Sequence, residues 1–174
     1  MKKLILGVFV LLLFSCGQRE SKQTSTSNYF DIAGYFAAEA TRLQKANPTV
    51  EKQVFAKGEI EKKPTKIADW KIELAGFNNA DINKASWRGE FATTSDGNTI
   101  SYTTANPKIP IKKVDIIKIN DQVKGIKIIK STQNSLYTST DTLFYFPDSL
   151  YTVQSEQKIK LLSKKKYLVI GKFK

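Results

Sequence analysis

The chain has one cysteine, Cys16, and no histidine. The thiol is therefore its one side chain with ready nucleophilic chemistry, acting as the thiolate. The absence of histidine removes the commonest general base and the commonest metal ligand. A serine with a lysine base is the next arrangement to weigh, and Ser163 followed by Lys164, Lys165 and Lys166 is the candidate. The same residues suit a hairpin turn with solvated charge better. The carboxylates Asp81, Asp96, Asp115, Asp121, Asp141 and Asp148 are scattered, without the spacing of a calcium loop or of a paired acid and base. Neither a glycine-rich phosphate loop nor a dinucleotide fingerprint is present. The expectation is a protein that is not an enzyme, with no catalytic, cofactor-binding or metal-binding residue and no cofactor. The chemistry to explain is that of Cys16.

What precedes the cysteine explains it. Lys2 and Lys3 form a short positive segment, Leu4 to Phe14 is apolar apart from Gly7, and Ser15 is a small residue before Cys16. That order is a secretory signal, residues 1–15. As a helix the apolar run reaches roughly 16 Å, about half of a hydrocarbon core of ~30 Å, too short for a permanent span. Leu13, Phe14, Ser15 and Cys16 resemble the lipobox of bacterial lipoproteins: an aliphatic residue, a variable one, a small one and the cysteine. The resemblance implies cleavage between Ser15 and Cys16, a diacylglycerol on the thiol and usually a further acyl chain on the new amino group. One chain binds membranes marginally, each buried methylene adding about 0.8 kcal/mol, so two or three hold a protein almost permanently. Cys16 is thus expected to be the lipid-attachment residue and the membrane the partner. Gly17 stands where the aspartate that retains lipoproteins in the inner membrane of some bacteria would be, which favours an outer-membrane address, periplasmic or surface face left open.

After the leader, no second cysteine is available for an intrachain disulfide, so stability must come from an ordinary core. The formal charge of +12 falls by the two lysines of the leader to +10. Such an excess favours anionic neighbours, which for an exported protein are lipid headgroups or acidic glycans more readily than nucleic acid. Scattered lysines also simply keep a β-rich domain soluble. Residues 17–28, GQRESKQTSTSN, hold no large apolar side chain and read, with Cys16, as a lipidated tether spanning about 20 Å. Residues 29–174 then form one domain.

Within it, Ile32, Phe36, Ala40 and Leu43 recur at helical spacing, with Asn28 as cap and Pro48 as stop, predicting a helix over 29–46. Ile67, Trp70, Leu74 and Phe77 predict a second, beginning after Pro64 and Thr65 and dissolving in GFNNADIN. From Ser86 onward the chain alternates or is rich in β-branched and aromatic residues between short turns. Trp87, Gly89 and Phe91 read as one face of a strand leading to the Asp96-Gly97 turn, and TVEKQVF with EIEKK adds a hairpin around Lys57-Gly58. The fold class is α+β: a curved antiparallel sheet of about six to eight strands, two helices of the N-terminal half packed on one face.

Ile116-Ile117, Ile128-Ile129 and Leu143-Phe144-Tyr145-Phe146 are apolar on both strand faces. One face meets the helices, and the other needs a cover of its own. The first expectation is a non-catalytic binding domain holding a lipid or acylated glycan in a cavity lined by Ile116, Ile128, Phe144 and Phe146, with lysines at its mouth. The alternative is a structural accessory subunit of an envelope complex, with a solid core and an exposed apolar patch. The Lys/Ile/Asn-rich body and short leader resemble small lipoproteins of Bacteroidota bacteria, a likeness specific at residues 1–16 only. The helix pair on a sheet is similar in outline to the lipoprotein-carrier fold of outer-membrane sorting systems, as fold-level analogy.

Overall fold

The computed structural model describes residues 29–174 apart from Lys57 and Leu161. The leader, Ser15, Cys16, Asn28 and the tether lie outside the described residues.

Helix α1 (Ile32–Ala46) begins three residues later than expected, because Asp31 caps it. The Asp31 carboxylate accepts the Gly34 N–H at 2.8 Å, satisfying one of the first-turn donors that have no helical partner. At the other end Asn47 turns left-handed, its N–H reaching the Leu43 carbonyl at 2.8 Å, and Pro48 prevents continuation. The second helix is two short ones, α2 (Trp70–Glu73) and α3 (Ala75–Asn78), broken at Leu74. Asp69 caps α2 by accepting from Lys71 and Ile72. Pro64 and Thr65, expected just before a helix, instead lie in a strand.

The strands are β1 (Thr49–Ala56), β2 (Glu59–Lys66), β3 (Ala92–Asp96), β4 (Thr99–Thr103), β5 (Ile111–Ile119), β6 (Gln122–Gln133), β7 (Tyr137–Phe146), β8 (Leu150–Ile159) and β9 (Lys165–Phe173). They form one antiparallel sheet in the order β2-β1-β9-β8-β7-β6-β5-β4-β3. The α+β architecture is as read from the sequence, with nine strands where the turns suggested six to eight. Trp87 to Phe91 is not extended: Ala85–Trp87 is a 3-10 turn and Gly89 has φ +78°, a conformation that ends strand geometry. From β3 to β9 each strand pairs with the next. The first hairpin closes on the far end of the chain, Val50 facing Phe173 and Ala56 facing Tyr167. Beyond that contact, Lys62 and Lys174 hold the Glu51 carboxylate at 2.9 and 3.3 Å, and the Lys62 hydrogen bond leads the effects that keep it down at about 2.

Side-chain alternation assigns the two faces of the sheet. Val114, Ile116, Ile126, Ile128, Leu143, Tyr145, Tyr151 and Val169 point to the helices and are all buried. Ile32, Phe36, Ala40 and Leu43 of α1 and Phe77 of α3 complete the cluster. The Phe36 and Tyr145 rings meet edge to face at 5.2 Å, and Trp70 stacks on Phe173 at 5.7 Å. Burying each such side chain contributes roughly 1.5–3 kcal/mol.

Candidate functional site

Two carboxylates, buried Glu39 and half-buried Glu73, fasten the helices to the sheet. Glu39 falls on the apolar stripe of α1, accepts the Tyr145 hydroxyl and receives two Arg42 hydrogen bonds at 2.8 and 2.6 Å. Arg42 also donates to Asp148 at 2.8 Å, which occupies the positive-φ turn after β7. Glu73 of α2 accepts the Tyr151 hydroxyl at 2.6 Å and pairs with Lys52 at 2.7 Å. Tyr145 and Tyr151 are cross-strand partners, so the two fastenings stand side by side. Both hydroxyls are pushed well above the ordinary tyrosine range, first by burial and then by hydrogen bonding to the glutamates. Tyr35 is raised to about 12, again first by burial.

This arrangement ties each glutamate to a basic side chain as well as to a tyrosine, Arg42 for Glu39 and Lys52 for Glu73. It has a pH signature. A phenol with a raised folded-state pKa favours the fold fully below the unfolded value near 10. That contribution is lost as pH rises through the folded value, at up to about 1.4 kcal/mol per pH unit for each tyrosine. Stability is therefore expected to be level approaching pH 10 and to fall above it. Tyr35, Tyr145 and Tyr151 should ionise late, with unfolding. A phenolate absorbance titration beside a circular-dichroism melt checks this, and early ionisation of all seven tyrosines in the folded protein would contradict it.

The carboxylates singled out in the sequence do not converge. Asp115 is buried on β5, accepting Ser101 at 2.6 Å beside Lys113 at 3.1 Å. Asp141 accepts Ser155 at 2.7 Å, and Asp81 caps its own loop at Asn83. Ser163 stands exposed between β8 and β9. Among the described residues no three Cys, His, Asp or Glu side chains gather as a metal group, and no helix is long and apolar enough to cross a membrane.

The remaining candidate is the sheet face opposite the helices. Alternation places Ile117, Ile129, Phe144, Phe146, Leu150 and Ile170 there, each half-buried. They adjoin one another: Phe146 pairs with Leu150, and Thr152 stands between Phe144 and Ile170. Gly125 leaves room for the Phe146 ring, since a Cβ there would lie 2.9 Å from it and 3.2 Å from Ile117. Lys127 covers the Phe144 ring at 5.3 Å, a cation–π contact. The expected cavity is therefore corrected. Ile116 and Ile128 are sealed under the helices, while Phe144 and Phe146 lie on the other side of the sheet, so the four line no common space. The physical reason is the two-residue period of a strand: neighbours such as Ile116 and Ile117 are separated by the sheet itself. At the β1–β2 end, this open face runs into a groove of about 400 Å³ lined by Phe55, Ile60, Leu168 and Lys166.

Sequence reasoning missed Glu39 and Glu73. The signal for Glu39 was present as a charged residue three positions after Phe36 and one before Ala40, inside the apolar stripe. Comparison of the chain with protein-family models, curated proteins and solved structures finds no match in any of the three.

Proposed function

We propose that the protein is a cell-envelope lipoprotein, held to the outer membrane by acyl chains on Cys16, whose domain docks against another envelope component without catalysing a reaction. The observation that supports docking is the pairing of a solid core under the helices with an apolar, lysine-bordered open sheet face. A core already filled by Trp70, Tyr145 and Phe77, all fully buried, favours the accessory-subunit reading over an internal carrier. Half-buried Phe144 and Phe146 form the kind of contiguous apolar surface that marks an interaction site. The second reading is an amphiphilic ligand, and the groove at Phe55, Ile60 and Leu168 is what favours it.

The anchor is tested first. Cys16→Ala is expected to leave the precursor at full length, with no incorporation of labelled fatty acid. Undiminished labelling would remove Cys16 from the account.

A further inference from the structure

The turns β1–β2, β6–β7 and β8–β9 come together at one end of the sheet. The Lys160 N–H donates to the Leu136 carbonyl at 2.8 Å, joining two of the tips, and Ala56 faces Tyr167 to bring in the third. Among the described residues seven large apolar side chains are exposed, and five of them, Ile60, Leu136, Tyr137, Leu162 and Tyr167, belong to this end. Leu136 is 68 % and Leu162 58 % exposed, far beyond what a turn needs. Lysines surround them at 158, 160, 164, 165 and 166. Only Lys166 is engaged among the described ion pairs, with Glu156 at 3.0 Å. Between the β1–β2 and β8–β9 tips lies a groove of about 650 Å³, floored by Ala56 and Tyr167 and walled by Lys164 and Lys165.

We propose that this end of the sheet is a membrane-docking surface, its leucines and tyrosines entering the interfacial layer of an anionic bilayer while the lysines bind the headgroups. Leu136, Tyr137 and Leu162 at the tips with Lys158, Lys165 and Lys166 behind them match the layering of a bilayer interface, where amphipathic rings settle among headgroups and long cationic side chains reach phosphates. Charge complementarity selects the anionic bilayer: each lysine near such a surface strengthens binding about fivefold. The surface uses none of the open-face residues Phe144, Phe146 or Ile117 and does not need lipid on Cys16, so it stands or falls separately from the proposed function.

The test uses residues 17–174, which contain the whole described core without the apolar leader. It measures flotation with vesicles of phosphatidylcholine alone or with about one-third phosphatidylglycerol, at low and moderate salt. Binding to the anionic vesicles is expected, weakening with salt as screening predicts. Lys164→Ala/Lys165→Ala should lower partitioning about 25-fold, two lysines at about fivefold each. Leu136→Ser/Leu162→Ser should lower it at least about tenfold. Lys108→Ala/Lys124→Ala removes the same charge away from the tips and should leave most binding intact. All three pairs are exposed, so unchanged melting temperatures verify folding. Absence of vesicle binding, equal binding to neutral vesicles, or equal weakening by the two lysine pairs would each overturn the proposal.

Discussion

Gly171→Ala is expected to destabilise the domain by about 2.5–6 kcal/mol, although it adds one methyl group. A Cβ at this position would lie 2.2 Å from Tyr151 Cζ and 2.5 Å from its hydroxyl, so the ring must move. It has nowhere to go. Tyr151 is bonded to Glu73 at 2.6 Å, packed edge-on against Trp70 at 6.3 Å and against Phe173 at 6.0 Å, and almost fully buried. Overpacking of this kind costs about 1–3 kcal/mol, and breaking the hydroxyl's hydrogen bond to the charged Glu73 costs roughly 1.5–3 kcal/mol more. Urea denaturation measures the sum. Gly97→Ala is the comparison, since a Cβ there meets nothing within 4 Å and only the φ of +53° resists it, at about 1 kcal/mol. A Gly171→Ala loss below about 1 kcal/mol would mean that Tyr151 is not locked as described. Smaller Tyr151 variants should recover part of the loss, because contacting residues are energetically coupled.

The physical reach of the sequence differs from element to element. Helix α1 was legible because four apolar residues at helical spacing end at Pro48, and its start moved only because Asp31 caps it where Asn28 was expected. The hairpins around Lys57-Gly58 and Asp96-Gly97 were legible from turn chemistry, and between β5 and β6 Asn120 and Asp121 take φ of 51° and 59°, the geometry of a tight antiparallel turn. The closure of β1 on β9 was not, since pairing between residues more than a hundred positions apart leaves no local pattern. Trp87 to Phe91 misled because alternation alone cannot distinguish a strand from a turn containing a positive-φ glycine.

For the candidate site, the two-sided strands were visible and their meaning was half visible. Period-two patterning separates Ile116 from Ile117 and Phe144 from Tyr145. Which set joins which across β5, β6 and β7 depends on register, where Ile116 faces Ile126 and Lys127 faces Phe144. Combining Ile116 and Ile128 with Phe144 and Phe146 into one cavity mixed the two faces. The glutamate–tyrosine fastenings escaped for a related reason: Glu39 and Tyr145 are 106 residues apart, and only the folded sheet brings them together.

The second large effect concerns the open face. A photo-crosslinking amino acid in place of Phe146 should join the protein to one envelope protein at high yield in living cells. The same probe in place of Ile72, exposed on α2 away from that face, should give almost none. The contrast is expected to be near all-or-none, because crosslinking reports contact within one side-chain length and not general proximity to the membrane. Phe144→Lys in the crosslinking chain should abolish the adduct with little loss of stability, since it charges the centre of the face while leaving the core beneath the helices intact.

This crosslink from Phe146 is the measurement that tests docking through the open face most directly. A discrete protein adduct, lost with Phe144→Lys and absent from Ile72, is the result predicted. Equal adducts from both positions, or none from Phe146, would contradict the assignment of that face as the working surface of the protein.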